Sequence, residues 1–237
     1  KALMFITIIV PVFKEEKTIK KILKRINELD LWVKKIHLKK EIIVINDKSS
    51  DDSKKILQQN HDLYSKLINN DVNRGKGYCI KKALEISKGD YILIQDADEE
   101  YDPNDYNKFI ECAEKFDADL VIGSRFIYDK YTRSHNFFNK VGNSLITLIF
   151  NLIYNTTFTD IYCCYIFFKK NLITPEKLKS NGFEQHAEIL CSLVKKGNKF
   201  FEVPINYNGR TINEERKLDI TIFFQFFIKW LKIEFFK

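Results

Sequence analysis

A chain of 237 residues can form one large domain or two small ones around a sizeable core. Its composition, 45% apolar and 30% charged, is that of a globular protein and excludes a disordered chain. The formal charge of +7 favours an anionic partner, a nucleotide, a phospholipid surface or a nucleic acid, without choosing among them.

Residues 5–10 are an almost continuous apolar, β-branched run stopped by Pro11, the pattern of a central parallel strand. Apolar positions at Ile19, Ile22, Leu23, Ile26 and Leu29 predict a helix over 15–30. A second buried strand is expected at 41–45, followed by a polar loop at 46–51 that can cap a helix over 53–60. A helix over 77–87 and strands at 91–95 and 120–122 continue the alternation. The first ~125 residues therefore predict an α/β unit with a parallel sheet. Ligands of such sheets sit beyond the carboxyl ends of the strands, which would gather 11–15, 46–51 and 96–100 at one crevice. Beyond it, helices are expected over 143–154 and 184–196, and a strand over 200–207, at an edge because of Pro204.

Five cysteines without CxxC spacing predict reduced thiols in a cytosolic compartment, not a disulfide framework or zinc site. The first residues read as a strand and not as a signal peptide. No stretch reaches the ~18 uninterrupted apolar residues of a membrane span. Only six of the 39 basic residues are Arg. A guanidinium binds phosphate bidentately and an ammonium does not, so Arg74, Arg125, Arg133, Arg210 and Arg216 are informative.

Two segments carry chemistry. Asp96-Ala97-Asp98 places two carboxylates one residue apart at a strand end, where hard oxygen ligands suit Mg²⁺ or Mn²⁺ bridging to a diphosphate. Asn73-Arg74-Gly75-Lys76-Gly77 is a basic, glycine-flanked turn before a helix, suited to phosphate but without Walker A spacing.

With these, Ile9-Val-Pro-Val-Phe-Lys-Glu-Glu16, the stretch from Ile42 to Ser53, Gly89-Asp90, Tyr101-Asp-Pro103 and Gly123-Ser-Arg125 form an ordered series. Thr159-Asp160, Phe183-Glu184, Glu188-Ile189, Val203-Pro204 and Arg210 through Arg216 continue it. The series resembles family 2 glycosyltransferases over most of the chain. It is most similar to the branch of dolichol-phosphate mannose synthases and undecaprenyl-phosphate glycosyltransferases.

The resemblance implies an α/β, Rossmann-like GT-A fold over 1–216, a nucleotide-sugar donor, a divalent metal and inverting transfer. It implies that Pro11, Phe13, Glu15, Ile45 and Asp47 surround the nucleoside, with Arg74, Lys76, Ala97 and Arg216 also at the donor. Asp96, Asp98 and Glu100 would hold the metal, and Arg125, Arg133 and Arg210 the acceptor phosphate. His135 lies among these basic positions. Phe13 stands where the family commonly has Tyr, Asn46 replaces the first of an Asp pair, and Lys48 replaces a usual Gly.

A polyprenyl-phosphate acceptor is largely dianionic at neutral pH and needs no general base. A saccharide hydroxyl needs one, for which Asp160, Glu184 and Glu188 are the candidates. The lipid phosphate is favoured. Residues 217–237 support it: seven aromatics among the last fifteen residues, broken by Lys229 and Lys232, predict an amphipathic helix lying on a membrane. The enzyme would then sit peripherally on the cytoplasmic face. Packing of that helix on the domain or on a sister subunit, giving a homo-oligomer, is the other use. A nucleotidyltransferase would show a Gly-rich basic loop after the first strand, and Pro11–Glu16 is not one. A non-catalytic nucleotide-sugar-binding module is the lower alternative, and no module for nucleic acid is recognisable.

Overall fold

The computed structural model describes residues 4–33, 36–127 and 137–209. β1 (Phe5–Val12) is followed by α1 (Ile19–Glu28), whose Ile19, Ile22, Leu23 and Ile26 are buried. A small antiparallel pair, β2 (Trp32–Val33) and β3 (Ile36–His37), precedes β4 (Lys39–Asn46), α2 (Ser53–Gln59) and β5 (Lys66–Asn69). Then come α3 (Lys76–Ile86), β6 (Tyr91–Ile94), α4 (Tyr106–Phe116), β7 (Leu120–Ser124) and α5 (Phe137–Tyr154). β8 (Ile166–Lys169), α6 (Gln185–Lys196) and β9 (Phe200–Pro204) complete the described chain.

Seven strands form one sheet in the order β5-β4-β1-β6-β8-β7-β9. All neighbours run parallel except β8, which is antiparallel to both β6 and β7. The predicted strands are all present, and β9 lies at the edge as Pro204 suggested. Sequence reading missed β5, β8 and α4. The last had a signal, since Tyr106, Phe109, Ile110 and Ala113 follow helical spacing and are buried. β8 has none that reveals direction. Its Ile166, Phe167 and Phe168 are fully buried on both faces, and an apolar run looks the same either way along a sheet.

β1, β4, β6 and β7 are mutually parallel, so Phe13, Asp47, Asp96 and Arg125 all emerge at one edge. Hydrogen bonds tie these loops together there: Lys14 and Glu15 donate their backbone N–H groups to Ser49 Oγ (3.1 Å) and Ser53 Oγ (2.9 Å). Lys48, at the position of the family's usual Gly, has φ 57°. That left-handed conformation costs a side chain about 1 kcal/mol or more. Lys48→Gly is therefore expected to raise stability by roughly 0.5–1 kcal/mol in urea unfolding.

Candidate donor and acceptor site

The Asp96-Ala97-Asp98 turn is fixed from beneath. Gln95 is fully buried; its Nε2 donates to the Asp96 carbonyl (3.0 Å), and its Oε1 accepts from the Tyr106 (2.9 Å) and Tyr165 (3.0 Å) hydroxyls. Ala97 is buried, while Asp96 and Asp98 are half-buried and reach the crevice. Asp98 accepts the Glu100 N–H (3.2 Å). This underpinning by Gln95 was invisible in the sequence, because Tyr165 is seventy residues away.

The basic turn meets the acidic one directly, since the Lys76 ammonium pairs with Asp96. Burial alone would lower the Lys76 pKa, but Asp96, with smaller help from Cys164 and Asp98, raises it above the ordinary value. Gly75 has φ 96°, ψ 159°, a conformation essentially confined to glycine, and a Cβ there would lie 2.5 Å from the Asn181 carbonyl oxygen. Asp47 secures the same turn. Its Oδ1 accepts from Arg74 N (2.9 Å) and Asn70 Nδ2 (2.7 Å), and its Oδ2 from Gly75 N (2.7 Å). Asp47 is thus buried and engaged by the chain itself. Ile45 buries its side chain wholly in the core, whereas Pro11, Phe13 and Glu15 are half-buried and Arg74 is exposed beside Tyr78.

Two carboxylates at a strand end, one of them already drawing a cation to itself, fit a hard divalent ion that takes its remaining oxygens from diphosphate and water. The three acids expected to share the ion are not gathered: the Glu100 carboxylate accepts the Tyr207 hydroxyl (2.9 Å). Among the described residues no group of three metal-ligating side chains is assembled.

At the other side of the crevice Arg125 and Asp160 form a buried pair. Asp160 accepts from Arg125 Nε (2.7 Å), Nη2 (2.9 Å) and backbone N (3.1 Å), and from Asn143 Nδ2 (2.6 Å). Burial would raise the Asp160 pKa, but the Arg125 charge and these hydrogen bonds hold it below the usual carboxylate range. Glu202 holds the backbone N–H groups of Thr159 (2.9 Å) and Asp160 (3.2 Å). Glu188 accepts from the N–H groups of Lys179 (2.8 Å) and Ser180 (2.9 Å). Asp160 and Glu188 therefore serve as anchors within the fold. Glu184 accepts from Gly182 N at 3.3 Å. Arg133, His135, Arg210, Arg216 and the 217–237 helix lie outside the described residues.

His186 sits behind this crevice with Nε2 donating to the Ile161 carbonyl (2.9 Å). Burial, reinforced by Lys76 and partly opposed by that hydrogen bond, pushes its pKa down to about 4. A folded pKa below the unfolded ~6.5 stabilises the fold above pH 6.5 and is lost as pH falls toward 4. The wild type should lose about 3 kcal/mol across that window. His186→Asn should flatten this part of the pH–stability curve in denaturant titrations.

The family model described as Glycosyl transferase family 2 matches residues 7–174. An uncharacterised protein of Methanocaldococcus jannaschii is 30% identical over 218 residues, covering 86% of this chain and 90% of its own. The UDP-N-acetylglucosamine--dolichyl-phosphate N-acetylglucosaminyltransferase of Methanococcus voltae is 27% identical, covering 97% of this chain and 96% of its own. Among solved structures, glucosyl-3-phosphoglycerate synthase of Mycobacterium tuberculosis, in complex with Mn²⁺, UDP-glucose and phosphoglyceric acid, superposes with a TM-score of 0.66 at 16% identity. That match covers 97% of this chain and 79% of the synthase chain. The fold is GT-A, and this chain belongs to glycosyltransferase family 2.

Proposed function

We propose that this glycosyltransferase moves a sugar, with inversion, from a nucleoside-diphosphate donor to a polyprenyl phosphate at a membrane surface. The observation that carries the reading is the two-faced helix α5. Val141, Leu145, Leu148 and Leu152 lie on one side, 48–75% exposed, an apolar stripe at helical spacing. From the opposite side Asn143 reaches in to the Asp160 carboxylate that holds Arg125. One helix thus joins a surface suited to a bilayer with a guanidinium suited to a phosphate. The positive net charge suits an anionic membrane. The attachment proposed is peripheral, on the cytoplasmic face. Among the described residues no helix is long and apolar enough to cross a membrane.

In this reading Pro11, Phe13 and Glu15 border the nucleoside and Arg74 and Lys76 face the diphosphate. Asp96 and Asp98 would hold Mg²⁺ or Mn²⁺, which neutralises the departing diphosphate. Arg125, with Arg133 and Arg210, aligns the acceptor phosphate for direct attack on the anomeric carbon. Arg216 completes the donor phosphate contacts. A phosphate nucleophile needs no base, which agrees with the commitment of Asp160 and Glu188 to other partners. The Methanococcus voltae relative, named for a dolichyl-phosphate acceptor, supports the same choice.

The test supplies UDP- and GDP-sugars with Mn²⁺ or Mg²⁺ and either a short polyprenyl phosphate or a saccharide acceptor. A lipid-linked sugar phosphodiester is the expected product; transfer to the saccharide alone would overturn the proposal. Burial of each leucine contributes roughly 1.5 kcal/mol or more. L145Q/L152Q, which removes apolar surface without adding charge, should therefore reduce sedimentation with anionic vesicles at least about tenfold while leaving UDP binding intact.

A further inference from the structure

Tyr207 stands between the acidic turn and Arg125. Its hydroxyl donates to Glu100 Oε2 (2.9 Å), and the guanidinium carbon of Arg125 lies 5.2 Å from the centre of its ring. The second contact supplies what Asp160 does not. Asp160 takes the Nε and Nη2 N–H groups along one edge of the guanidinium, which fixes that edge. The tilt of the plane about the edge is left to whatever packs on its face, and an aromatic ring there attracts a cation. The Phe126 ring is farther off, at 5.9 Å. Three of the five guanidinium N–H groups remain for other partners, on a side chain 15% exposed, and the tilt decides where they point.

Tyr207 is in turn held by its own segment. Asn206 donates from its backbone N (2.6 Å) and Nδ2 (2.9 Å) to the Asp105 carboxylate, and Asn208 N donates to the Glu100 carbonyl (2.8 Å). Between them Tyr207 pairs with Tyr101 in an antiparallel bridge, their rings 5.2 Å apart. Gly209 leaves room for the ring: a Cβ there would lie 2.9 Å from Tyr207 Cε1 and 3.0 Å from the hydroxyl oxygen. Burial and the Glu100 charge raise the Tyr207 pKa, partly opposed by Arg125, so the hydroxyl keeps its proton and donates at neutral pH.

We propose that Tyr207 is a positioning residue for the acceptor: anchored by Glu100 at its hydroxyl, its ring sets the tilt of the Arg125 guanidinium toward the incoming phosphate. The inference rests on the reading of Arg125 as an acceptor-phosphate contact. It gives Glu100, the third acid of the turn, a task on the acceptor side.

The experiment compares the full-length wild type with Y207F, Y207L and G209A. It measures transfer to a short polyprenyl phosphate from the UDP- or GDP-sugar that the wild type turns over, and calorimetric binding of UDP and GDP with Mn²⁺. Y207F keeps the ring and loses the anchor, and should raise the acceptor KM about three- to tenfold. Y207L loses both and should raise it about ten- to fiftyfold. G209A removes no group and crowds the ring, so its acceptor KM should rise as in Y207F. In all three, the donor KM and the Mn²⁺-dependent nucleotide affinity should stay within about twofold of the wild type. Weaker Mn²⁺-dependent binding in Y207F with the acceptor KM unmoved would mean that Tyr207 serves the donor side through Glu100, and overturns the assignment. So does a series in which donor and acceptor constants worsen alike with falling Tm, the mark of packing alone. Should Y207L fail to fold, Y207F and G209A decide. If the wild type transfers to the lipid phosphate and the variants keep its KM, only Tyr207 loses its role. If it binds nucleotide and transfers nothing to the lipid phosphate, the acceptor reading fails and this assignment with it.

Discussion

Asp98→Asn is expected to lower transfer by about 10³-fold, close to 4 kcal/mol of transition-state stabilisation. The substitution keeps the shape of the turn and removes one negative charge from the pair that would hold the divalent ion. Since Asp98 is half-buried and Asn can still accept the Glu100 N–H, held at 3.2 Å, thermal stability should change little. The loss should appear as weaker nucleotide binding with Mn²⁺ present and unchanged binding in its absence, measured by calorimetry. Asp96→Asn is expected to behave differently. It removes the partner of Lys76, whose side chain is only 18% exposed, and so should lower stability as well as transfer. Full activity in the Asp98 variant would dismiss metal-assisted departure of the diphosphate.

The second large effect belongs to Asp160. Its carboxylate is fully buried and accepts four hydrogen bonds, three of them from Arg125, whose side chain is 15% exposed. Asp160→Ala leaves that guanidinium buried without its counter-charge and is expected to cost about 3–5 kcal/mol. In a chain of this size that is a drop in Tm of roughly 10 °C, readable by calorimetry. R125M/D160A, which removes both charges, should be less destabilised than D160A alone. The pair also predicts acid sensitivity. Because the folded Asp160 pKa lies below the ordinary carboxylate value, its stabilisation is present above that value and is lost as pH falls through the folded one. Transfer should fall in D160A through loss of Arg125 alignment, seen as a raised KM for the acceptor. Were Asp160 a general base instead, Asp160→Asn would abolish kcat with the KM unchanged.

The C-terminal ends of the strands were legible because the information there is local. A continuous β-branched run stopped by Pro11, Asn46 or Asp96 declares both a buried parallel strand and where its polar loop begins. Four such runs in order bring their loops to one edge. Lys48 was legible as an irregularity, and its φ of 57° gives the physical reason that a glycine suits the position. The acids at 160 and 188 read as candidate bases because a carboxylate in a sequence carries no sign of its partner.

By itself, then, the sequence determined the class of sheet, the acidic turn, the basic turn and the family, all of them properties of short segments and their order. Tertiary structure alone decided the rest. It reversed β8 between β6 and β7, set Gln95 under the acidic turn, turned Glu100 to Tyr207 and locked Asp160 to Arg125. It also buried the Gln185 amide at the start of α6. Each of these depends on which distant groups meet once the core has closed. A buried polar atom is defined by its partner or by the lack of one, and pattern along a chain records neither.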